Sequence, residues 1–93
     1  MLQTMIIKTT GEIVTVSPDK GKTFSLRELQ DTVGGFIEII RLDNHKAFMV
    51  LHEEGKLIGL PINSKATKIF QEQYGTGDYI VGDVLIAQYN QID

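Results

Sequence analysis

A capping box and a pair of glycines confine the first helix to about two turns. Ser25 is placed to accept from the free N–H groups of the first turn, and Glu28 stands three residues later to return the bond. Phe24 before the cap and Leu29 inside the helix suit the accompanying hydrophobic staple. Gly34 and Gly35 then end it, because glycine takes the left-handed conformation without a steric penalty. The helix therefore runs from about Leu26 to Val33, with Leu26, Leu29 and Val33 on one apolar face. That face needs a sheet to cover it.

Short β-branched runs supply the sheet. Residues 5–16 read as a hairpin, with Met5, Ile6 and Ile7 on one arm, Ile13 to Val16 on the other, and Thr10-Gly11 between them. Residues 17–22, with Pro18 and Gly21, read as a loop. Residues 36–42 and 45–51 read as two further strands around Asp43-Asn44, a pair that tolerates the backbone of a two-residue turn. Such a turn sets Ile39 opposite Phe48, Ile37 opposite Val50, and Arg41 opposite Lys46, the last pair mildly unfavourable. The other face carries Phe36, Glu38, Ile40, Met49 and Leu51, among which Glu38 is the odd member.

Glu53-Glu54-Gly55-Lys56 reads as a polar turn, followed by a possible short strand at residues 57–60. Asn63 or Ser64 caps a second helix, whose apolar stripe is Ala66, Ile69, Phe70 and Tyr74, and Gly75 and Gly77 close it. Val84 to Ala87 form a last, buried-looking strand. The expectation is a single α+β domain over residues 1–93, an antiparallel sheet of about five strands with two short helices packed largely on one face.

Charge and composition narrow the function. Twelve acidic against nine basic residues give a net charge of -3, with the lysines scattered rather than clustered. Nucleic-acid binding is therefore disfavoured, and the carboxylates are too few and too well offset for a mimic of DNA. The absence of cysteine removes disulfides, thiolate metal sites and thiol nucleophiles together. No apolar run approaches a membrane span and no secretion pattern opens the chain, so a cytoplasmic protein with no membrane partner is expected. A chain this small supports shallow or shared sites better than a large internal cavity, and pairing of sheet edges in a homo-oligomer fits its size.

The motifs that carry chemistry are incomplete. Gly21-Lys22-Thr23 resembles the end of a phosphate-binding loop, but Val16 stands where the first glycine belongs. His52-Glu53-Glu54 lacks the second histidine of a zinc helix, and His45 sits beside a turn, so no metal and no cofactor are expected. Ser25 has a capping role, and no Gly-x-Ser-x-Gly elbow exists. No catalytic residue is assigned. Glu38 is singled out because its strand neighbours are apolar, the alternative being a solvent-facing edge position.

Val33-Gly34-Gly35-Phe36-Ile37-Glu38, read with residues 52–63 (His-Glu-Glu-Gly-Lys-Leu-Ile-Gly-Leu-Pro-Ile-Asn), resembles a small bacterial and phage family described only as a domain of unknown function. Asp78-Tyr79-Ile80-Val81-Gly82 is similar to the acidic and Ile-x-Gly motif before that family's last strand. The resemblance covers roughly residues 26–87. Phe36 stands where the family often has tyrosine, and His52 where it often has asparagine. It implies residence in bacteria, phages or plasmids and no particular reaction.

The expected function is a non-enzymatic binding or accessory protein that holds a host protein or a small molecule. Its surface is built around residues 53–63, with Glu38, His52, Glu53, Glu54 and Asn63 as the binding candidates. The alternatives are an enzyme for a polar metabolite with Glu38 or Glu53 as base, and nucleic-acid binding.

Overall fold

The computed structural model describes residues 2–93. Strands β1 (Met5–Ile7) and β2 (Ile13–Thr15) form the first hairpin, and helix α1 spans Leu26–Val33. Strands β3 (Ile37–Leu42) and β4 (Ala47–His52) form the second hairpin, and helix α2 (Ser64–Tyr74) leads to strand β5 (Val84–Gln88). The five strands make one antiparallel sheet in the order β2-β1-β5-β4-β3. The chain's last strand therefore lies at the centre and joins the two hairpins.

The two helices cover opposite faces, which corrects the expectation of packing largely on one. Leu29 and Val33 of α1 bury with Phe24, Val50, Leu85 and Ala87. Ala66, Ile69 and Phe70 of α2 pack with Met49, Ile86, Ile7 and Val84 on the other side. Successive strand residues point to alternate faces, so the uninterrupted apolar run of β5 is buried on both sides only if both are covered. Leu26 departs from its expected place, lying largely exposed at the mouth of the α1 side.

Both helix starts follow the sequence. Ser25 Oγ accepts from Glu28 N–H at 3.1 Å, Glu28 Oε2 accepts from Ser25 N–H at 2.7 Å, and Gly34 ends α1 at φ 85. Helix α2 is capped by Asn63, whose Oδ1 accepts from Ala66 N–H at 3.1 Å.

The second hairpin is shifted by two residues from the expected register. Ile37 pairs with His52, Ile39 with Val50, and Arg41 with Phe48. The turn is longer than two residues: a 3-10 segment at Asp43–His45 is followed by Lys46 in the left-handed region at φ 51. The longer turn removes the Arg41–Lys46 opposition. Arg41 instead lies over the Tyr89 ring, 5.0 Å from its centroid, and donates from Nε to Asp43 at 3.1 Å. Tyr89 OH donates to the same carboxylate. These bonds hold the Asp43 carboxyl below the usual aspartate range, with the Tyr89 bond the larger cause.

Residues 57–60 form a tight turn rather than a strand. Ile58 N–H donates to Glu54 O at 3.1 Å, and Leu60 N–H to Gly55 O at 3.0 Å, so the backbone winds upon itself. Leu60 pins the turn from inside: a Cβ on Gly55 or Gly82 would meet its Cδ1 at 3.4 and 2.8 Å. Only Ile62 beyond the turn makes a strand-like bridge, to Val81.

Candidate functional site

A cleft of about 130 Å³ opens on the α2 side, between the end of β3–β4 and residues 78–81. Glu38, Glu53, Lys56 and Asp78 bring charge to it, and Phe70 and Tyr79 bring aromatic surface. Glu38 reaches the cleft because it pairs with Leu51 and shares the face of Ile40. Glu53 follows directly after β4, and its N–H donates to Phe36 O at 2.9 Å, which extends the ladder by one pair. Lys56 Nζ donates to the Asp78 carboxylate and stands 4.4 Å from the Tyr79 ring centroid. The Lys56 bond, joined by one from Tyr79 N–H, holds the Asp78 carboxyl below the usual range. Asp78 is thus engaged as the ion-pair partner of Lys56.

The five candidates divide by location. Glu38, His52 and Glu53 all line the cleft, and the carboxylates of Glu38 and Glu53 receive no hydrogen bond among the described residues. His52 is only 9% exposed. Its Nδ1 accepts from Glu54 N–H at 3.0 Å, so the ring closes the turn that follows β4. Glu54 is exposed and contributes that N–H together with the carbonyl that receives Ile58 N–H. Asn63 is 1% exposed. Its Nδ2 donates to Ile7 O and Gly82 O, both at 2.9 Å, while Oδ1 caps α2. Asn63 therefore ties strand β1, the residue 80–83 segment and the helix together from within.

Lys56 and Tyr79 do not stand out in the sequence as site residues, and Asp78 does so only as part of a motif. Their approach depends on the winding of residues 53–60, which places Lys56 over a segment twenty-two residues away. No local spacing carries that signal.

The outer rim of the same turn is apolar. Leu57 is 84% exposed and Ile58 60%, and Ile62, just beyond the turn, is 59% exposed; Leu57 and Tyr79 both line the cleft. Leu60 is turned inward, so the loop displays its neighbours on an anchored frame. Among the described residues no three of His, Asp and Glu gather as metal ligands, and no helix is long and apolar enough to cross a membrane.

The profile of a family described as Domain of unknown function (DUF3846) matches residues 3–93. The chain belongs to that family. The match takes in both hairpins, both helices and the cleft, so the whole fold described above is a DUF3846 domain. No curated protein and no solved structure matches the chain.

Proposed function

We propose that this DUF3846 domain is a non-catalytic binding module whose partner is another protein, held through the loop at residues 53–62 and the cleft beside it. The observation that carries this reading is the exposure of Leu57 and Ile58 on a turn that Leu60 and the main-chain bonds hold in shape, with Ile62 exposed just beyond it. Exposed aliphatic side chains grouped in this way mark contact surfaces. The cleft is smaller than the roughly 300–1,000 Å³ of small-molecule sites, which favours a protein surface over a sequestered metabolite. Glu38, Glu53 and Lys56 then act as the charged rim around an apolar contact. The resemblance to proteins of bacteria, phages and plasmids suggests an accessory role in the bacterial cytoplasm, with a host protein as partner.

The enzymatic alternative draws less support. Glu38 and Glu53 share a cleft, but neither has an orienting hydrogen-bond partner among the described residues, and Asp78 is locked to Lys56.

The test compares proteins captured from host lysate by the wild-type domain and by L57S/I58S, E53Q and E54Q variants of matched melting temperature. Mass spectrometry identifies what each retains. A protein held by the wild type and lost by L57S/I58S supports the reading. Equal capture by both, or a co-purifying metabolite lost only with E53Q, overturns it.

A further inference from the structure

We propose that the open edge of β3 is a strand-addition site for an extended segment of a partner protein in which a basic residue stands between two apolar ones. The site shares Glu38 with the cleft but not the residue 53–62 loop, and adds to it.

Strand β3 ends the sheet, and its main chain has a definite phase. The bond from Glu53 N–H to Phe36 O continues the β3–β4 register, and bonded pairs alternate along an antiparallel ladder. Phe36, Glu38, Ile40 and Leu42 therefore turn their polar groups toward β4, while Ile37, Ile39 and Arg41 turn theirs outward. Tyr74 OH at 2.6 Å and Gln73 Nε2 at 3.4 Å close off the Arg41 carbonyl. Among the described residues nothing outside the strands bonds to the main chain of Ile37 or Ile39. The opposite edge of the sheet, β2, has only three residues, a length that limits pairing. Strand β3 has six, without proline or bulge.

The side chains define what fits. Ile37 and Ile39 line an open groove of about 700 Å³ on the α1 side, together with Phe24, Leu26, Leu29 and Ile92. Residues directly opposite in an antiparallel pair share a face. An added strand thus points its residues opposite Ile37 and Ile39 into this groove, where apolar side chains are buried. The residue between them stands opposite Glu38 on the other face. Lysine or arginine there makes an opposite-charge pair across the strands.

A second copy of the chain fits poorly. A two-fold axis through the sheet that keeps like faces together must pass between a residue of β3 and its own copy. Centred on Glu38, it sets two carboxylates against each other. Centred on Ile39, Ile40 or Arg41, it requires the Arg41 carbonyl that Tyr74 already occupies. Centred on Ile37, it pairs Ile39 with Gly35 of the copy, which lies before the strand begins. A foreign strand meets none of these obstacles.

The probe is a capped peptide with a valine–lysine–valine core flanked by threonines, titrated into ¹⁵N-labelled protein. We expect saturable shifts at the amides of residues 37–41 and slowed exchange of the Ile37 and Ile39 N–H groups. A glutamate-centred peptide should bind roughly fivefold more weakly, and E38K should reverse that preference. A main-chain N-methylated peptide should not bind. I39P removes an outward N–H that β4 does not use, so it should abolish binding with the sheet intact. Shifts confined to residues 57–62, equal binding of the N-methylated peptide, or no saturation at millimolar peptide overturn the proposal. So does protection of the Ile37 and Ile39 N–H groups in protein alone that disappears on dilution, because a second copy then fills the edge.

Discussion

The imidazole of His52 occupies the space that a side chain at residue 35 would need. A Cβ built on Gly35 lies 2.5 Å from Nε2 and 3.1 Å from both adjacent ring carbons. Gly35 is not among the positive-φ glycines, so its backbone accepts alanine and the obstacle is the ring alone.

Gly35→Ala should therefore cost about 1–3 kcal/mol, as overpacking in a filled site does. His52→Asn shortens the side chain and keeps an acceptor for Glu54 N–H, in the manner of an Asx turn. In that background Gly35→Ala should lose most of its penalty. Urea unfolding of the four proteins in the double-mutant cycle measures the coupling, and additive costs would show that the ring yields freely.

Asn63→Ala should be more damaging than the loss of a helix cap. The cap alone is worth about 1 kcal/mol. Removing Nδ2 also strands the buried carbonyls of Ile7 and Gly82, each at a further cost of about 1 kcal/mol or more. Asn63→Asp keeps the cap acceptor but sets a buried carboxylate oxygen against the two carbonyls, so its cost arises from that side alone. Equal stability of Asn63→Asp and wild type in chemical unfolding would contradict this account.

Acid should weaken the start of α1. Glu28 is held below the usual glutamate range, chiefly by Ser25 N–H and then by Asp19 N–H. A depressed folded value means that the contribution is complete above about pH 4.3, the unfolded value. It is lost as the pH falls through the lower folded value. The melting temperatures of wild type and Glu28→Gln should differ by a constant amount near neutrality and converge in acid.

Leu57 and Leu60, three residues apart, should respond oppositely to serine. Leu57→Ser removes an exposed side chain and should change stability by less than about 0.5 kcal/mol. Leu60→Ser withdraws the side chain packed against Gly55 and Gly82 and should cost roughly 2 kcal/mol. Thermal unfolding of the two variants decides it.

What could be read from the sequence was local. Ser25, Glu28 and Gly34 act within a few residues of one another, and their arrangement followed from spacing. The Asn63 cap was legible for the same reason. Its bonds to Ile7 and Gly82 were not, because they join residues fifty-six and nineteen positions away. The β3–β4 register escaped because Lys46 adopts a left-handed backbone that lysine does not advertise. Helical periodicity showed which side of each helix is apolar but not which face of the sheet it meets. The continuous apolar run of β5 did hold that information, since a strand flanked by helices on both faces needs no polar alternation. Of the residues that line the cleft, Glu38, His52 and Glu53 stand out in the sequence, whereas the approach of Lys56 to Tyr79 depends on a fold of the loop that reads in sequence as a strand.

The central place of β5 also sets the order in which the molecule can be assembled. Each hairpin closes on neighbouring residues, but neither meets the other except through β5. Until residues 84–88 arrive, the chain holds two separate ribbons, each with one side exposed to stray pairing. Residues near the two ends then fasten together, with Thr4 bonded to Gln91 and Gln88 to the Leu2 carbonyl. Closure of the sheet thus waits on β5. A synthetic copy of β5 offered during refolding should compete for that gap and trap the two ribbons as an open-sheet intermediate.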